Sequence, residues 1–161
     1  MSTVTLRHAS ATAGKGVRAL PAFAGALSLS AAIAHFGVAE PHWREWWAHG
    51  AFFVVCGSLQ TLLTVLLMWR PRDWVALAGI AGNLAVISGY VYSRTNGVPV
   101  GPHAGVPERA EWFDMSTTAV ELVLVAALVA MLGLRARRWA MNLVLLFGAG
   151  LWIGRATGFI L

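Results

Sequence analysis

Charge and sulfur are what this sequence has least of. Its 161 residues include one lysine, Lys15, and one cysteine, Cys56, and charged residues of every kind make up 12% of the chain. A lone cysteine excludes an intrachain disulfide and any CxxC-type metal or redox motif. A soluble domain carries about 25% charged residues, so a chain with about half that share and 58% hydrophobic residues has too few polar groups to cover a water-facing surface. There is no internal repeat of transporter type and no low-complexity segment beyond the N-terminal tail. Residues 1–18 are polar and basic, but the apolar run after them is too long for an h-region and lacks a small-x-small cleavage site, so no cleaved leader is expected.

What the chain does have is five apolar segments, residues 19–38, 46–69, 74–93, 115–134 and 139–161. Each is close to the ~20 residues that cross ~30 Å of hydrocarbon. The expected fold is therefore all-α and integral to the membrane, a bundle of five transmembrane helices. Four spans would be the alternative, with the first or fifth segment lying differently. Residues 1–18 are expected as a disordered basic tail and residues 19–161 as a single transmembrane domain. The second and third segments are joined by RPRD, residues 70–73, and the fourth and fifth by RARR, residues 135–138. Pro71 stops one helix running into the next.

Eight of the Lys and Arg residues (Arg7, Lys15, Arg18, Arg70, Arg72, Arg135, Arg137 and Arg138) fall on one side of these spans, and Arg44, Arg94 and Arg109 on the other. The positive-inside rule then places the N-terminus in the cytoplasm. Trp43, Trp46, Trp47 and Trp112 bracket the outer level, and Trp69, Trp74 and Trp139 the inner one, as an aromatic belt does. The net charge of +5 thus sits at span ends rather than in a patch, so the expected partner is the lipid bilayer and not nucleic acid. Arginine-rich, alanine-rich and glycine-rich usage suggests a GC-rich bacterial genome, and the expected location is the bacterial inner membrane, multi-pass.

The longest connector, residues 94–114, has three prolines and three glycines, which forbid a regular helix and predict an extended, turn-rich cap on the outer face. With no lysine, no GK[ST] and no strand before it, it is not a phosphate-binding loop.

Four of five histidines (His35, His42, His49, His103) and six of seven acids (Glu40, Glu45, Glu108, Glu111, Asp114, Glu121) lie at or just beneath the outer face. On a helix entered after Pro41, His42, Glu45, His49, Cys56 and Gln60 form one polar stripe about 60° wide. Imidazole with carboxylate suits Zn, Fe or Cu(II). The candidate metal ligands are accordingly His35, His42, Glu45, His49, His103, Asp114 and Glu121, with Glu40, Tyr90, Arg94 and Arg155 as a supporting polar network. The composition of residues 42–49, three tryptophans and an arginine, equally fits a helix crossing the headgroup region, where these histidines would merely be interfacial. Cys56 reads as a small buried residue and Gln60 as a bond to another helix. Glu121 and Arg155 lie at similar depth, where a charge needs a partner, and are expected to be neighbours.

The segments EPHWREWWAHGAFF and NLAVISGYVYSRTNGVPVGPHAG, with residues 114–121, resemble a group of small uncharacterised bacterial polytopic membrane proteins, in which an outer Glu-x-His, an R-T-x-G-x-P-x-G-P loop and an acid in the next span recur. The resemblance covers residues 32–125. It implies a working set of Glu40, His42, Arg94, Gly97, Pro99, Gly101, Pro102, Asp114 and Glu121, and no cofactor.

The reading that follows is a small membrane protein with an outward-facing His/carboxylate vestibule that binds a transition metal ion, Cu, Fe or Zn, for redox, metal handling or sensing. Its catalytic residues, if it is an enzyme, are not identified by the sequence. Two alternatives stand beside it: an accessory or assembly subunit of a larger membrane complex or homo-oligomer, favoured by the small residues of segments three and five, and a membrane-embedded metal-dependent hydrolase. The inner halves of the segments are almost wholly apolar, which argues against a channel or pump.

Overall fold

In a computed structural model the chain is described over residues 3–158, with side chains from Ala19 onward. Five helices follow one another: α1 (Thr3–Glu45), α2 (Trp47–Trp69), α3 (Asp73–Thr95), α4 (Trp112–Met131) and α5 (Leu134–Ala156). Each includes a stretch long and apolar enough to cross a membrane, the first being Ala19–Glu45. Helix α1 is described from Thr3, and the side chains of residues 1–18, Arg7, His8, Lys15 and Arg18 among them, lie outside the described residues.

The first turn of the chain departs from expectation. Helix α1 runs through both Pro21 and Pro41 and stops at Trp46, whose backbone is extended at φ −160° and ψ 126°. A proline inside a helix removes one hydrogen bond and crowds the carbonyl four residues back. Opposite Pro41 that residue is Gly37, which stands in open space. Trp46 then serves both helices, its N–H donating to the His42 carbonyl at 2.9 Å and its carbonyl accepting from the N–H of His49 at 3.0 Å. The chain reverses over this one residue because Gly50 lies against the Trp43 backbone; a Cβ there would sit 2.6 Å from the Trp43 Cα. The expected stripe is therefore divided, with His42 and Glu45 on α1 and His49, Cys56 and Gln60 on α2.

Helices α1 to α4 pack as an antiparallel bundle, and α5 leans on α3 and α4 from outside. One end carries the short α2–α3 connector and the α4–α5 turn of residues 132–133, with Arg135, Arg137 and Arg138, expected in a connector, in the first turns of α5; the other end carries the long loop between α3 and α4. The apolar core fills the connector half: Leu63, Leu67, Val75, Ile80, Leu124 and Leu128, with Ala24 and Ala140, are all less than a tenth exposed. In that half Gly79 lets α3 close onto Leu63 and Leu128. Arg137 closes the α4 end by donating from Nε to the Val129 carbonyl at 3.3 Å and from Nη2 to that of Ala130 at 3.2 Å, satisfying carbonyls that the helix leaves unpaired. Only Ala140 and Gly154 of α5 are buried.

The loop is the turn-rich cap that its glycines predict. Gly97, Gly101 and Gly105 take positive φ, a region open to glycine at little cost. Its edges are fastened by the Gly105 N–H to the Val98 carbonyl at 2.9 Å and the Glu108 N–H to the Ser93 carbonyl at 3.0 Å. Exposed Trp47, Trp112, Trp69, Trp74 and Trp139 mark the two ends of the bundle.

Candidate functional site

The polar side chains collect in the loop half, in four layers. At the rim, Glu45 on α1 and His103 in the loop approach to 3.5 Å. His49 lies beneath the loop, edge-on to Trp46 with ring centroids 4.9 Å apart. Gly101 closes over it at φ 103°, where a Cβ would be strained and would meet Trp46 Cε3 at 2.9 Å and the His49 ring at 3.3 Å. The Nε2 of His49 is buried and has no hydrogen-bond partner.

Below the rim, Arg94 at the end of α3 ties three elements together. Its guanidinium donates to Glu108 of the loop and, at 2.6 Å, to Asp114 of α4. The same group stacks over the Tyr90 ring, 4.9 Å from its centroid. A planar fork with five donors suits a site that must hold two carboxylates and an aromatic face at once. Tyr90 and Arg94 thus join Glu108 and Asp114 in one polar cluster, while Glu40 pairs with Arg44 on an exposed face of α1, at 2.5 Å.

The third layer is the centre of the molecule. His35 on α1 and Glu121 on α4 meet at 3.0 Å between Nε2 and Oε1, with His35 4% and Glu121 1% exposed. Counted from the loop ends of their helices, His35 is ten residues in and Glu121 nine, about 15 Å and about 14 Å by helical rise. Sequence spacing could have paired them by depth. The expected pairing of Glu121 with Arg155 is not what forms: α5 ends at Ala156, so Arg155 lies in its last turn, exposed at the bundle surface. There a cation faces the C-terminal carbonyls of its own helix and needs no buried partner. Cys56 of α2 is a buried free thiol within electrostatic range of Glu121.

The fourth layer is a closed set of hydrogen bonds. The Ser28 hydroxyl lies 2.7 Å from Gln60 Oε1 and 2.8 Å from the Gln60 carbonyl. The Gln60 amide donates to Asn83 Oδ1 at 2.9 Å, and the Asn83 amide donates to the Gly79 carbonyl at 2.8 Å. Three helices are thereby joined by neutral groups that satisfy one another, the ordinary polar glue of membrane bundles. Two surface grooves, one bounded by Phe36, Ala39 and Trp43 and one by Ala31, Ala34 and Val120, are lined by neither His35 nor Glu121.

Of the seven candidate metal ligands, the fold brings His35 to Glu121 and Glu45 to His103. It turns Asp114 to Arg94 and binds His42 Nδ1 to the Val38 carbonyl at 2.7 Å. Among the described residues no group of three or more His, Cys, Asp or Glu is placed to hold a metal ion. Phe53, which no sequence argument singled out, sits between two of the histidines, its ring centroid 4.4 Å from His42 and 6.1 Å from His35. Comparison with family models, curated proteins and solved structures finds no match to this chain.

Proposed function

We propose that this chain is a proton-responsive protein of the bacterial inner membrane, with its N-terminus in the cytoplasm, that takes up and releases a proton at the His35–Glu121 pair from the outer face. The observation that carries the reading is the pair itself, an imidazole and a carboxylate at 3.0 Å, both buried from solvent. Ionisable groups within a span are functional by default, because their burial is expensive. With both ring nitrogens of the imidazole protonated and the carboxylate ionised, the two groups form a neutral ion pair. Without it they leave a net negative charge in an apolar interior. The pair therefore has two states that differ in charge, which is the physical requirement of a sensor.

Orientation follows from the basic residues at the connector end. One-sidedness follows from the packing beneath the pair: the Ser28–Gln60–Asn83 bonds are closed on themselves, and Leu63, Leu67, Ile80, Leu124 and Leu128 fill the connector half. That supports sensing over transport. The test is pH-difference infrared spectroscopy on protein in lipid vesicles. The wild type is expected to give paired imidazole and carboxyl signals; Glu121→Gln should remove the carboxyl signal and His35→Gln the imidazole one. A wild-type spectrum with neither would reduce the pair to a fixed structural contact.

One observation favours a transition metal at the rim as a second reading. The unpartnered Nε2 of His49 lies under the same loop that brings His103 to Glu45, and a buried polar atom without a partner invites explanation. Elemental analysis of purified protein beside His49→Ala/His103→Ala decides it. Stoichiometric Cu, Fe or Zn lost in the variant would establish the ion, and none in either would remove it.

A further inference from the structure

The His35–Glu121 pair is buried, so a proton must have a route to it. We propose that the route is the seam between α1 and α2, with His42 as the receiving relay and Phe53 as the gate. This rests on the proton-exchange reading above.

His42 and His35 are seven residues apart on one face of α1, which separates them by about 10 Å along the helix. His42 is half-buried near the loop end, and His35 is closed from solvent. The tautomer of His42 is set by chemistry. Its Nδ1 lies 2.7 Å from the Val38 carbonyl, a carbonyl can only accept, and so Nδ1 carries the hydrogen. That leaves Nε2 of the neutral ring as the lone pair that takes up a proton and, because Nδ1 keeps its own hydrogen on the carbonyl, as the nitrogen that gives it up again. A ring whose other nitrogen is fixed by a backbone bond is held in place for that work.

A direct transfer from His42 to His35 is ruled out by the distance, and the Phe53 ring occupies the space between them. Phe53 is braced edge-on by Phe52, with centroids 5.3 Å apart. When the ring swings aside, water can enter the gap and join the two imidazoles; when it returns, the pair is sealed. Proton transfer needs hydrogen-bond reach or a bridging water, so the ring sets the rate while leaving the equilibrium to the pair.

The other groups facing this region do not offer a competing path. From α2, Cys56 is a buried thiol within electrostatic range of Glu121, and His49 lies at the rim against Trp46. From α3, Tyr90 and Arg94 are engaged with each other, and Arg94 with Glu108 and Asp114. From α4, Asp114 is held by that arginine two turns toward the loop from Glu121. Arg155 of α5 is exposed in the last turn.

The experiment is a pH jump on protein in vesicles, followed by the infrared carboxyl signal of Glu121. His42→Phe is expected to slow the response, and Phe53→Ala to speed it, each by roughly tenfold or more. The equilibrium titration should stay unchanged in both. Free imidazole in the buffer should restore the rate of His42→Gly, which a structural role would not allow. If Phe53→Ala fails to fold, Phe53→Leu gives the same reading with a smaller change. Wild-type rates in the His42 and Phe53 variants, with the pair still titrating, would overturn the route and leave the proton site standing. A wild-type pair that does not titrate would instead remove the site, and the route with it.

Discussion

The two halves of this bundle solve the same problem with opposite means. The connector half is held by close packing of leucine, isoleucine, valine and alanine around Gly79, with few polar contacts, among them Arg137 on the last carbonyls of α4 and the Thr64 hydroxyl on the Gly25 carbonyl. The loop half is held by polar pairs: Arg94 on two carboxylates, His35 on Glu121, and Gln60 between Ser28 and Asn83. Packing suffices to hold helices together in lipid, where water does not drive them together. The polar half is therefore in excess of what the fold needs, and that excess is the argument for function.

If so, the two halves should respond differently to substitution, as measured by reversible unfolding in mixed lipid and detergent. The largest effect is expected from His35→Leu, about 3–5 kcal/mol, because it strands Glu121 alone in an apolar site. A His35→Leu/Glu121→Leu double variant should recover most of that loss, since apolar groups of similar size commonly replace a buried pair without penalty. Failure to recover would mean that the fold itself needs the pair.

Leu128→Ala in the connector half is expected to cost about 2–4 kcal/mol, with no recovery available from a partner, because what is lost is packing and the cavity remains. Gln60→Ala should cost only about 1 kcal/mol, as Ser28 keeps its bond to the residue 60 carbonyl and only Asn83 loses a donor. Gly148→Ala on α5 should not destabilise the bundle and should gain at most about 1 kcal/mol of helix propensity, since no atom lies within 4 Å of the added methyl. A large effect there would place α5 against something in the membrane.

The fold was legible where the signal was length and apolarity. Five helices long enough to span, the proline stop at Pro71 and the glycine-built loop all follow from segment length and turn chemistry. The break between α1 and α2 was not, because proline is usually the stronger punctuation. Here the sharp reversal depends on Gly50 meeting the Trp43 backbone, a contact between residues that helical periodicity does not bring together. That single displacement divided the expected stripe between two helices.

At the site, the residues were legible and their partners were not. The polar character of His35, Glu121, Arg94 and Tyr90 stands out at membrane depth. Partner choice depends instead on where each helix ends. Arg155 looked deep when the fifth segment was carried to residue 161, and lies in the last turn because α5 stops at Ala156. Phe53 was invisible because an aromatic residue in an apolar helix carries no signal until the histidines on either side of it are placed in space.

The measurement closest to the central claim is sidedness. In vesicles with the protein in one orientation and the pH set independently on the two faces, the Glu121 carboxyl signal is expected to follow the pH on the loop side and to ignore that on the connector side. A signal that followed the connector side, or crossed freely from both, would contradict a one-sided proton site above a closed apolar half.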